Sequence, residues 1–304
     1  MGVSEGSPYA LELEGSLVGV SIVIPVKDGA RHLADQLTAL MPQLDSCAED
    51  CEVIVSDNGS TDSTPCLVDD FAARFPVVRA VDSSMRPGAA AARNIGAAAA
   101  RGRSLVFLDH DDIVQPGWWS MMRVALEDHP LVAGDFDEVS LNSPDVLSWY
   151  NPPRHFSLRP YLGFLPYART SNMGVAKCLF ESLGGFDESW ARGEDVEFSW
   201  RAQLAGHHLH FAKGAVVAYR LPMSPKEVLR KSFAGGQANC RLVAEFHRFG
   251  CAKPRKSQAA RRIIASVATA PIAWRSRASL GHWARAAGET CGRVVGGLRW
   301  RIFM

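Results

Sequence analysis

Continuous apolar runs and stretches of helical periodicity take turns along the first third of the chain. Residues 18–26 (VGVSIVIPV) form a β-branched run that predicts a buried strand, stopped by Pro25. Arg31 to Leu44 then places Leu33, Leu37, Leu40, Met41 and Leu44 on one helical face. Residues 52–55 predict a second strand, and Leu67, Val68, Phe71 and Phe75 the next amphipathic face. Residues 77–81 predict a third strand, and Pro87-Gly88 opens an Ala-rich helix over 89–100. The apolar run that ends at Leu108 is the fourth strand. This alternation predicts a doubly wound, Rossmann-like mixed sheet, mostly parallel, with helices on both faces.

The pattern is looser further on. Residues 134–138 read as another strand end, 151–153 as a loop, and 156–167 mix aromatics with Pro160 and Pro166. Those aromatics suit either an acceptor site or an ordinary loop packed over the core. A short helix is expected over 177–183, closed by Gly184-Gly185. Another starts at Glu194-Asp195 and ends at Gly206, a strand runs over 216–220, and a long helix spans 225–249.

Three strand ends carry polar clusters: Lys27-Asp28, Asp57-Asn58 and Asp109-His110-Asp111. In an open α/β sheet such ends share the edge where ligands bind. Asp109 and Asp111, two apart in an extended chain, point the same way, and paired carboxylates suit a hard cation such as Mg²⁺ or Mn²⁺. A solvated acidic loop is the plainer alternative. Neither G-x-G-x-x-G after the first strand nor a phosphate-binding Gly-Lys-Ser/Thr loop is found, which disfavours nicotinamide enzymes and P-loop proteins.

The total of 304 residues and net charge of +1 hides an asymmetry. Residues 253–304 carry a net +10 and residues 1–252 a net −9. An acidic body argues against nucleic acid as partner. The basic tail, with Trp274, Trp283 and Trp300 among its arginines, suits contact with an anionic membrane, a helix packed on the body, or a disordered end. The seven cysteines have no repeated spacing and read as reduced thiols. With neither a signal-peptide pattern nor a membrane-spanning run, the expected location is cytoplasmic, with the inner membrane face as a peripheral site.

Five segments in order resemble the inverting family 2 glycosyltransferases of the GT-A fold: Val23 to Lys27, Val55 to Asp62, Gly88 to Gly96 (GAAAARNIG), Phe107 to Asp112 (FLDHDD), and Gly184 to Asp187 followed by Gly193-Glu194-Asp195. The resemblance implies a nucleotide-sugar donor bound by Pro25, Val26, Lys27, Asp28, Asp57, Arg93, Asp109 and His110. Asp57 would read the nucleobase, and Asp109 and Asp111 would form the DxD pair that holds Mn²⁺ or Mg²⁺. Asp195 would be the base that deprotonates the acceptor hydroxyl, with Glu194 beside it, though the two roles are exchangeable. The implied acceptor is a sugar, glycan or lipid-linked sugar, extended by one residue per encounter. Ala218 stands where the family often has a metal-site histidine; water, His208 or His210 would have to replace it. Arg220 has two readings, a partner for the diphosphate or a surface ion pair. The organisation expected is a lead-in over 1–17, a GT-A domain over 18–250 (nucleotide half 18–112, acceptor half 113–250) and a basic extension over 251–304. A sugar-phosphate nucleotidyltransferase would want a more basic, Gly-rich loop after the first strand. A non-catalytic nucleotide-sugar-binding relative is the other alternative.

Overall fold

Strands β1 (Val20–Val26), β2 (Cys51–Asp57), β3 (Val78–Asp82) and β4 (Ser104–Leu108) pair in parallel in the order β3-β2-β1-β4. The structure, a computed structural model, describes residues 19–45, 50–150, 158–253, 264–265, 268–271, 273 and 275–302. All of β1 is buried, because successive residues feed two cores on opposite faces of the sheet. Ile22 and Ile24 pack with Leu33, Leu37 and Leu40 of α1 (Ala30–Leu44) on one face. Val23, Leu105 and Phe107 meet Ala90 and Ala97 of α3 (Ala89–Ala99) on the other. Between them, α2 (Thr64–Arg74) links β2 to β3. The small residues of α3 let it sit close to the sheet: a Cβ on Gly96 would lie 2.5 Å from Val23 Cγ1.

The sheet then continues in a way the sequence pattern does not announce. After β5 (Ile113–Val114), α4 (Trp118–Asp128), β6 (Leu131–Asp137) and α5 (Pro144–Ser148), strand β7 (Asn172–Ala176) inserts antiparallel between β4 and β6. Helices α6 (Lys177–Ser182) and α7 (Glu194–Leu204) lead to β8 (His210–Ala218), which lies parallel to β6 and completes an eight-stranded mixed sheet. Buried Asn172 holds this region: its Nδ2 donates to the carbonyls of Asp135 and Ala215, and its Oδ1 accepts from Trp118 Nε1. Because β1, β2, β4, β6 and β8 run the same way, their C-terminal ends share one edge.

Helix α8 (Pro225–Phe246) is capped by Ser224, whose hydroxyl accepts from Glu227 N. The basic extension folds back on it: α9 (Arg277–Trp300) packs along α8 through Gly288, Gly292 and Gly296. A side chain at Gly292 would run into the backbone carbonyl of Phe233. Gly292→Ala is therefore expected to cost about 1–3 kcal/mol in urea unfolding, the range for overpacking a close contact. No helix among the described residues is long and apolar enough to cross a membrane.

Candidate active site

The first strand ends shape a loop edge held by their own polar side chains. Asp28 has positive φ, and its carboxylate accepts from Thr61 N at 2.7 Å and from the Thr61 hydroxyl at 3.1 Å. Asp57 Oδ1 accepts from Ser60 N and from the Ser60 hydroxyl, leaving Oδ2 without a partner among the described residues. Buried Asn58 ties the β3–α3 loop down, donating to the carbonyls of Ser83 and Arg86 and accepting from Gly88 N. Lys27 is exposed beside this edge, and the His110 ring packs against Gly29, where a Cβ would lie 2.6 Å from it.

At the end of β4, Asp109, Asp111 and Asp112 each bring a carboxylate oxygen within 4.8 Å of the others. Burial and the Asp109 charge raise the pKa of Asp111; burial and both neighbouring carboxylates raise that of Asp112 well above its usual value. Asp112 Oδ1 accepts from Arg220 N at 2.7 Å, while its buried Oδ2 has no partner among the described residues. Crowded, mutually repelling oxygens with one buried atom unsatisfied are what a divalent cation relieves, and an all-oxygen donor set fits Mg²⁺ or Mn²⁺.

Arg93, on α3 and only 4 % exposed, joins this corner to the second half of the chain. Its Nη2 donates to Asp109 Oδ1 at 2.7 Å and its Nη1 to Glu194 Oε1 at 2.9 Å. The next residue, Asn94, grips the loop before α7, donating to the carbonyl of Phe186 and accepting from Phe186 N. Asp109 and the N-terminus of α7 are thus one guanidinium apart. Both line a cavity of about 640 Å³ together with Asp195, Tyr161, Tyr167 and Tyr219. Burial first, then the Glu194 charge, pushes the Asp195 pKa up to about 7. Among the described residues its one hydrogen bond is accepted from Val196 N, so no cation there fixes it as Arg93 fixes Glu194.

The sequence-selected residues therefore fall into two groups. Arg93, Asp109, Glu194 and Asp195 share the cavity, while Lys27, Asp28, Asp57, His110 and Asp111 lie along the same edge but outside its lining, and Pro25 and Val26 are buried in β1. His208 and His210 do not replace the missing histidine. His210 opens β8 at the far edge of the sheet and stacks on His129 at 3.8 Å, whereas Ala218 closes that strand, fully buried. Arg220 instead reaches this corner, its Nε donating to the Asp111 carbonyl at 2.8 Å. The aromatics divide as well: Tyr161 and Tyr167 line the cavity, Phe164 packs on Trp200 in the core, and residues 151–157 lie outside the described residues. Sequence reasoning counted Asp112 in the FLDHDD motif but left it out of the metal pair, and it missed Asn58 and Asn94 as loop anchors.

Residues 21–172 match the model of the family described as Glycosyl transferase family 2. The chain belongs to that family. It is 27% identical over 233 residues to glycosyltransferase AglE of Haloferax volcanii, covering 76% of each chain. It is 31% identical over 238 residues to a pre-mycofactocin glycosyltransferase of Mycobacterium tuberculosis, covering 72% of this chain but 46% of that one, so it spans under half of that relative. The mannosyltransferase PcManGT from Pyrobaculum calidifontis, solved with GDP-Man and Mn²⁺, superposes with a TM-score of 0.63 at 18% identity, covering 90% of this chain and 86% of that one. The architecture of this glycosyltransferase is accordingly GT-A, as the ordered motifs led one to expect, and its activity is sugar transfer in glycoconjugate biosynthesis.

Proposed function

We propose that the chain transfers one sugar per encounter from a nucleoside-diphosphate donor to an acceptor hydroxyl, by direct displacement with inversion, in polysaccharide, cell-envelope or glycolipid synthesis. The observation that carries this reading is the Arg93 bridge, which ties Asp109 to Glu194 on a cavity that Asp195 also lines. In-line displacement needs the leaving group and the base on opposite sides of one carbon. Asp195 is assigned as the base: its pKa of about 7 suits proton abstraction at neutral pH, and it is not held in an ion pair. Glu194, paired with Arg93, positions the loop beside it. At the donor end, the free Oδ2 of Asp57 would accept from a nucleobase N–H, with Lys27 near the phosphates. Asp109, Asp111 and Asp112 would hold Mn²⁺ or Mg²⁺, which when bound neutralises charge on the leaving diphosphate. The Mn²⁺ and GDP-Man in the structure of PcManGT support this.

Thermal shift with a panel of nucleoside diphosphates provides the first test. One diphosphate is expected to raise the melting temperature in Mn²⁺ and not in EDTA; stabilisation that ignores the metal would overturn the cation assignment. Peripheral contact with an anionic membrane at the cytoplasmic face is part of the same proposal. Its support is the exposed Val294, Val295 and Leu298 on α9, with Arg299 and Arg301 alongside.

A further inference from the structure

Apart from Asp195, the charged groups on the cavity wall are paired locally except in one place. Arg93 answers Asp109 and Glu194, Arg169 pairs with Glu138 at 3.2 Å, Glu289 pairs with Arg293 at 2.6 Å, and Lys231 with Glu227 at 3.1 Å. Arg192, just before α7, and Arg285, on α9, line the same cavity with no carboxylate partner among the described residues. Arg285 Nε donates to the Trp149 carbonyl at 3.0 Å, which fixes the guanidinium without neutralising it. Both arginines act on Tyr150, another lining residue, where their charge partly offsets the burial and the Glu227 charge that raise its hydroxyl to about 12. Arg192 also acts on Asp195, and Arg285 lies against Trp149 and Tyr150, on the cavity wall that also carries Asp109.

Resting on the reading of this cavity as the acceptor site, we propose that Arg192, Arg285 and Tyr150 form a subsite for a phosphate group carried by the acceptor, next to the hydroxyl that receives the sugar. Planar guanidinium forks suit phosphate oxygens, and Tyr150 supplies an O–H donor. A soluble sugar phosphate and a lipid phosphate present the same chemistry here.

Isothermal titration of the full chain in EDTA tests the subsite, because without a cation the acidic triplet repels anions. The probes are inorganic phosphate, glucose 1-phosphate, farnesyl phosphate and neutral methyl glucoside. The phosphates are expected to bind saturably, and methyl glucoside at least tenfold more weakly. Arg192→Gln and Arg285→Gln should each weaken phosphate binding at least tenfold, and Arg285→Lys less. Arg192 is exposed, so its variant keeps the test informative should Arg285→Gln misfold. Tighter binding of glucose 1-phosphate marks a soluble acceptor and of farnesyl phosphate a lipid one; both support the subsite. Absence of saturable phosphate binding, or binding that neither glutamine variant weakens, overturns it. Phosphate binding with undiminished turnover in Asp195→Asn would overturn the base assignment and leave the subsite standing.

Discussion

Asp195→Asn is expected to cut sugar transfer by ~10²–10⁴-fold, the contribution of a positioned general base, while Mn²⁺-dependent nucleoside-diphosphate binding persists. In the wild type, kcat/KM should fall on the acid side with a midpoint near 7, where Asp195 takes up its proton. The same substitution should have an opposite signature in stability. Asp195 titrates at about 7 in the folded chain against a reference of 3.8, so folding favours its protonated form. That stabilisation is lost as pH rises toward 7, where the ionised carboxylate must be buried beside Glu194. The asparagine variant carries no such charge. Its stability should therefore gain on the wild type between about pH 4 and 7, by up to roughly 4 kcal/mol, levelling off above, and its melting temperature should rise relative to the wild type over that window. A variant that keeps full turnover, or gains nothing in this pH window, would refute the assignment. Release of nucleoside diphosphate and differential scanning calorimetry across pH supply the two readouts.

Arg93→Gln should have the largest effect on stability. The guanidinium is almost fully buried and satisfies two carboxylates from opposite halves of the chain. Removing one partner from a buried ionic cluster costs about 3–5 kcal/mol because the remaining charges stay desolvated, which lowers the melting temperature by roughly 10 °C in a chain of this size. Arg93→Lys should not restore it, since a single ammonium cannot reproduce two separate N–H forks. Transfer should fall with either substitution, because Asp109 and the α7 N-terminus lose their common tether. Calorimetry on both variants checks the claim, and a melting temperature within 2 °C of wild type would reject it.

These two residues differ in how readable they were. Asp195 follows a short motif, and its place at a helix start could be read from Gly193-Glu194-Asp195 alone. Arg93 was picked out by its motif and expected near the nucleotide. That it bridges two acids 16 and 101 positions away is a long-range packing result that no local pattern encodes. The first four strands were legible because buried parallel strands are unbroken β-branched runs. Strand β7 was not, since Asn172-Met173-Gly174-Val175-Ala176 has weak strand propensity and owes its conformation to pairing on both sides. Likewise β5 is two residues long. For the tail, the charge count points to membranes, whereas the close packing of Gly288, Gly292 and Gly296 against α8 is visible only in the structure.

That last contact has a bearing on how specificity can change. If the subsite holds, Arg285 reaches the receiving substrate from the final helix, whereas the donor edge is drawn from the opening third of the chain. Exchanging the final helix between homologues would then alter what is glycosylated while leaving the incoming sugar the same, giving this scaffold two separately adjustable ends.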